Sequence, residues 1–142
     1  MFPNAKILDI RRSALDSCWA VFKSVLVGDF GNDQHHVARY YADYVRLMDR
    51  MAAKSANAIL TISYEDLVSD VEGETRRILS FLGLDFEQAC VDFHLSNAVV
   101  TTASSEQVRR PANRDSIGSA EPYRPWLQPM ISELEAALGN TI

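Results

Sequence analysis

Four residues near the start, Ile7-Leu8-Asp9-Ile10, set the terms for the whole chain: they read as a short apolar strand running straight into Arg11-Arg12 and a helix. A strand of that character belongs in the interior of a parallel sheet, with neighbours on both sides. Only one other segment, Ala58 to Tyr64 with Ile59, Leu60 and Ile62, is similar. Two strands do not make a stable open sheet by themselves. The sequence therefore predicts the second half of an α/β domain, helix-dominated, with about two parallel strands and with its first strands absent.

Composition narrows the function classes. The 142 residues are 47% apolar and 23% charged, ordinary for one globular domain or part of one. A net charge of −5 argues against a nucleic-acid partner, which would need a basic face. No apolar run reaches the roughly 18 residues of a membrane span, and no basic-then-apolar leader is visible, so a cytoplasmic location without membrane contact is expected. Cys18 and Cys90 both fall on apolar helical stripes and are read as reduced core thiols. His35 and His36 are adjacent and His94 stands alone, so no metal-ligand spacing is present. Neither a Gly-x-Ser-x-Gly elbow nor a glycine-rich phosphate loop occurs.

Periodicity lays out the helices. Ser13 and Asp16 make a capping-box-like start for a helix carrying Leu15, Cys18, Trp19, Phe22, Val25 and Leu26 up to Gly28. A second helix is predicted from Asp33, with Val37, Tyr40, Tyr41, Tyr44, Leu47, Met48 and Met51 on one face. Its tyrosines read as packing groups whose hydroxyls reach the rim. Asp70 caps a third helix that Gly83 closes, and Asp85 caps a short one with Phe86, Ala89, Cys90 and Phe93. From Ser96 to about Pro125 periodicity is lost, and a functional loop is expected. Leu127, Met130, Ile131, Leu134 and Leu138 define a last helix.

Two places could carry chemistry. Ligands of open α/β sheets sit beyond the carboxyl ends of strands, and Arg12 lies at such an end beside a helix N-terminus. Its planar fork suits a phosphate or sulfate; pairing with Asp16, Glu65 or Asp66 is the competing use. The second place is Thr101 to Ser119, rich in hydroxyls, amides and arginines, with Gly118 allowing close backbone approach; a plain connector is the alternative. Glu65 and Asp66 are adjacent at a strand end and point apart, so a cap or ion pair fits them better than acid/base work.

Taken in order, several segments resemble a known family. They are Phe2-Pro3-Asn4-Ala5-Lys6-Ile7, Arg11 to Trp19, Tyr40-Tyr41-Ala42-Asp43-Tyr44, Tyr64-Glu65-Asp66-Leu67-Val68, Phe81-Leu82-Gly83-Leu84 and Ala89 to Phe93. Thr102-Ala103-Ser104, Gln107 to Pro111, Ser116-Ile117-Gly118 and Tyr123 complete the set. The chain resembles sulfotransferases that use 3′-phosphoadenosine 5′-phosphosulfate (PAPS), and among them the bacterial branch often fused to tetratricopeptide repeats and related to protein-tyrosine sulfotransferases. The resemblance implies an incomplete P-loop-type parallel-sheet fold. Residues 1–142 would be the C-terminal part of one domain whose N-terminal phosphate loop and general base are absent.

It also implies roles. Arg12 would bind the nucleotide 3′-phosphate and Tyr64 would lie beside the adenine. Ser104, Ser105, Gln107, Arg110 and Asn113 would lie in a loop closing over the nucleotide, with Arg114 adding charge. A dianionic phosphomonoester calls for several charge-assisted donors of this kind. Three departures weaken the site: Ala20 stands where a phosphate-binding serine is usual, and Ser119 and Ala120 stand where a basic residue and a tryptophan are usual. Losing one neutral hydroxyl costs about 1 kcal/mol, and losing a cation adds to it. Weak or absent binding of PAPS or adenosine 3′,5′-bisphosphate follows as the expectation, with no catalytic residue and no turnover in the isolated chain. The competing reading is a degenerate, non-catalytic helical interaction module or gene remnant. Either way, the bare first strand predicts self-association or pairing with the missing N-terminal half.

Overall fold

The computed structural model describes residues 5–24, 29–55, 58–96, 99–101 and 106–142. Strand β1 (Ile7–Arg11) leads into helix α1 (Ala14–Phe22), a 3-10 turn at Asp29–Asn32 and the long helix α2 (Gln34–Lys54). Strand β2 (Ile59–Ser63) follows, then helices α3 (Tyr64–Ser69) and α4 (Val71–Leu82). Four 3-10 segments, Gln88–Cys90, Phe93–Leu95, Gln107–Arg109 and Glu121–Trp126, precede the last helix α5 (Gln128–Leu138). β1 and β2 pair in parallel, Ile7 opposite Ile59 through Arg11 opposite Ser63. The described residues form a helix-dominated α/β structure with two parallel strands.

Helix packing, rather than the sheet, makes the main core. Leu15 and Cys18 of α1, Val37 and Ala38 of α2, and Met130, Ile131 and Leu134 of α5 are buried together with Ala120 and Leu127. Ala38 and Ala42 are fully buried on α2, and such small side chains let neighbouring helices approach closely. Local signals fix the helix ends. Asp33 accepts the His36 N–H at 2.9 Å, and Asp70 accepts the Gly73 N–H at 2.9 Å. Gly83 closes α4 in the left-handed region (φ 72°), where a residue with a Cβ would be strained.

β1 is bare, as the sequence predicts for a strand whose neighbours are absent: Ile7, Leu8 and Ile10 are 36%, 38% and 52% exposed, and among the described residues β2 is its only neighbour. Other expectations fail for identifiable reasons. α1 ends at Phe22 instead of running on toward Leu26. The Ser24 hydroxyl donates to the Ala20 carbonyl at 2.6 Å and the Ser24 N–H turns back to Val21, so the backbone leaves the α-helical ladder there. Val25, Leu26 and Gly28 lie outside the described residues.

The helix expected after Asp85 is replaced by two 3-10 turns. Its run of apolar residues is too short to bury a face, and Cys90 is exposed, so only Cys18 is a core thiol. The α2 stripe also divides. Tyr41 and Tyr44 face inward, whereas Tyr40, Leu47 and Met51 are exposed, because α1 and α5 cover only part of that face. Helix α3 was not anticipated; Ser63 caps it by accepting the Asp66 N–H at 3.1 Å.

Candidate functional site

The segment that follows β2 meets the irregular 106–116 stretch around an open cavity of about 560 Å3. The β2–α3 junction contributes Tyr64 and Val68, and Phe93 comes from a 3-10 turn. Gln107, Arg110, Pro111, Asn113 and Ser116 come from the segment itself. Thus four expected site residues, Tyr64, Gln107, Arg110 and Asn113, share one cavity although they are up to 49 positions apart in the chain. An aromatic ring, two carboxamides and a guanidinium can together stack on a flat heterocycle and donate to an anion. Glu106 and Asp115 also line the wall, and their charges oppose a dianion.

Two expected cations are placed differently. Arg12 does not line the cavity. It lies behind it, with its guanidinium carbon 5.5 Å from the centre of the Tyr64 ring. Its Nη2 donates to the Ser116 carbonyl and, at 3.0 Å, to the Ser119 hydroxyl, and lies 3.4 Å from Asp16 Oδ2. Arg12 thus pairs with Asp16, while Glu65 accepts the Ser13 N–H at 2.9 Å. The Arg12 Nε is buried and has no partner. Arg114 does not line the cavity, and its Nη2 donates to the Ser69 carbonyl at 3.5 Å. Ser104 and Ser105 lie outside the described residues.

A buried polar network ties down the end of β1 ahead of Arg12. Asp9 is buried on β1 and accepts from Arg11 Nε at 2.8 Å and from the Tyr44 hydroxyl. Arg11 also bridges to Asp49 at 2.7 Å, and its bonds to Asp49 and Asp9 outweigh the cost of its burial and raise its pKa. Burial, with help from the Asp9 carboxylate, pushes the Tyr44 phenol up to about 12. The Tyr41 hydroxyl donates to the Arg12 carbonyl at 2.9 Å. The inward tyrosines of α2 thus hold the end of β1 in place.

No group of His, Cys, Asp or Glu among the described residues could hold a metal ion. Nor is any described helix long and apolar enough to cross a membrane. Sequence reasoning gave no individual role to Val68, Phe93, Glu106, Asp115 or Ser116, although Val68, Phe93 and Ser116 stand in segments quoted for the resemblance and Glu106, Asp115 and Ser116 fall within the Thr101 to Ser119 stretch.

The family model for the sulfotransferase family matches residues 1–88, more than half of the chain and the stretch that contains β1, α1, α2, β2, α3 and α4. The chain belongs to the sulfotransferase family. Among curated proteins, an uncharacterized protein of Aquifex aeolicus (strain VF5) is 26% identical over 140 residues. That alignment covers 95% of this chain and 18% of the relative's length. The matched stretch supplies Arg12, Asp16 and Tyr64, whereas the wall formed by residues 106–116 lies beyond it.

Proposed function

We propose that residues 1–142 form the C-terminal part of a PAPS-dependent sulfotransferase domain, of P-loop type and of the tetratricopeptide-associated, tyrosine-sulfotransferase-like branch. In this reading the chain holds the adenosine and 3′-phosphate side of the cofactor. The observation that carries it is the convergence of Tyr64, Gln107, Arg110 and Asn113 on one cavity, with the Arg12 guanidinium against the Tyr64 ring. A cavity of about 560 Å3 is within the usual size of a small-molecule site. The donor set fits the nucleoside end of PAPS: Tyr64 offers a ring face, Gln107 and Asn113 offer amides that can read a heterocycle, and Arg110 offers a cation.

When bound, PAPS supplies the sulfuryl group that passes to an acceptor hydroxyl, with adenosine 3′,5′-bisphosphate as the other product. This chain's residues are assigned binding and orientation only, and residues 1–142 alone are expected to show no sulfuryl transfer. The reading includes a cytoplasmic location, with no nucleic-acid or membrane partner. It also includes a partner for the exposed apolar residues of β1, either a second copy or the preceding part of the same domain. Concentration-dependent association by light scattering is expected, and a monomer at high concentration would oppose that part.

A thermal-shift titration with adenosine 3′,5′-bisphosphate tests the binding role. At a hundredfold excess over Kd the ligand stabilises the folded state by about 2.7 kcal/mol, and the shift should vanish in Arg110→Ala and in Arg12→Ala. A specific observation favours the second reading, a non-catalytic helical module: Glu106 and Asp115 line the cavity while the Arg12 fork is engaged by protein atoms. Absence of any shift in the wild-type chain would decide for it.

A further inference from the structure

Asp16 is one of two buried charged residues among those described, with 3% of its surface exposed, and no part of it faces the cavity. Its carboxylate collects bonds from a segment about a hundred positions away. Oδ2 accepts the Gly118 N–H at 2.8 Å, and Oδ1 accepts the Ala120 N–H at 2.8 Å and the Ser119 hydroxyl at 3.3 Å. Oδ2 also lies 3.4 Å from Arg12 Nη2. Gly118 sits in the left-handed region (φ 70°), which turns the chain so that both amides face one carboxylate. Because the two oxygens serve different amides, an isosteric carboxamide cannot replace the group: one of its two ends is a donor facing a donor.

This cluster has a consequence for the proposed nucleotide site, and the inference rests on that reading. Arg12 shares Nη2 among Ser116, Ser119 and Asp16, so the guanidinium plane is set by the same turn that Asp16 holds. Ser116 is at once a wall of the cavity and the acceptor for Arg12. Moving the turn therefore moves the cavity wall and the cation together.

We propose that Asp16 is a positioning residue for phosphate recognition: it locks Arg12 and the 116–120 turn into one unit against Tyr64, so that the site's preference for a phosphorylated ribose depends on a side chain that touches no ligand. A carboxylate beside the arginine would by itself repel a phosphate. Here its charge is spread over two backbone amides and a hydroxyl, which leaves the guanidinium positive and fixed.

Two readouts on the 142-residue chain separate this role from simple structural support. Hydrogen exchange at the Gly118 and Ala120 amides, measured without ligand, should be at least tenfold faster in Asp16→Asn. Calorimetric titration with adenosine 3′,5′-bisphosphate and with adenosine 5′-monophosphate should show Asp16→Asn losing at least tenfold more affinity for the bisphosphate than for the monophosphate. Ser119→Ala, which keeps the carboxylate, should show the same selectivity loss at two- to fivefold, and it carries the test should Asp16→Asn not fold.

Unchanged amide exchange would overturn the lock. An equal loss for both nucleotides would overturn the positioning role. Wild-type protein that binds neither nucleotide would instead overturn the proposed function and with it the phosphate role, while the exchange result would still decide whether Asp16 holds the turn.

Discussion

Replacing Tyr44 with phenylalanine removes one oxygen from the buried end of β1, and the structure fixes what that should do at each pH. The Tyr44 hydroxyl donates to the Asp9 carboxylate, which is buried and shared with Arg11 and, at 3.5 Å, with the Thr61 hydroxyl. A hydrogen bond to a charged, buried acceptor contributes about 2 kcal/mol, so Tyr44→Phe should lose about that much at pH 7. Burial, reinforced by Asp9, raises the phenol from its ordinary value of 10 to about 12. A raised acid binds more protons in the folded state, so its contribution is complete below about pH 10 and fades as the pH climbs toward 12.

Between those values the wild type should lose at most about 1.4 kcal/mol by pH 11 through this group, and less to the extent that solvent screens a phenol that is only partly buried, whereas the variant has no phenol there to lose. The gap between the two proteins should therefore narrow from about 2 kcal/mol as the pH rises to 11. Other groups that titrate in that range, the Cys18 thiol included, are common to both proteins and cancel. Urea unfolding of both proteins at fixed pH values from 8 to 11 reads the difference directly. A gap that stays constant across that range would refute the claim that Asp9 and burial hold this phenol neutral.

Three further outcomes follow from burial and charge. Leu134→Ala, at the centre of the helical core, should cost about 3 kcal/mol, whereas Leu47→Ala on the exposed side of α2 should cost under about 0.5 kcal/mol; denaturant midpoints compare them. Native protein should titrate one thiol with Ellman's reagent, Cys90, and two in urea, because desolvation pushes the buried Cys18 thiol up to about 12; two fast thiols in the native state would contradict this. Glu133 is held below the ordinary carboxylate value, chiefly by Arg39 and then by His35. Its contribution to stability is therefore present above about pH 4.5 and lost as the pH falls through its lowered value. Arg39→Ala should move the Glu133 titration upward by NMR.

Much of the candidate site could be read in advance because its parts carry local signals. Arg12 follows a strand and precedes a capped helix, and Tyr64 follows the second strand. Both are junction positions, where an open α/β sheet places ligands whatever else the fold does. Gln107, Arg110 and Asn113 stood out as donors in a stretch with no helical or strand period. What could not be read was which of these donors were already committed. That Arg12 pairs with Asp16, Ser116 and Ser119 could be seen only in the structure. Arg114 had the right charge in the right loop, yet its guanidinium turns toward Ser69.

The amino-acid order by itself determined the elements whose causes are local. Asp33 and Asp70 start α2 and α4 with their own side chains, Gly83 ends α4 with its own φ, and the apolar period of Leu127 to Leu138 defines α5. Those effects act within one helical turn, so a window of a few residues contains them. The tertiary structure alone decided whatever depends on approach between distant segments. It put Cys90 on the surface and Cys18 in the core, and gave Asp16 its partners at Gly118 and Ala120. A side chain's exposure and its hydrogen-bond partners are set by what packs over it, and in this chain those groups come from up to a hundred residues away.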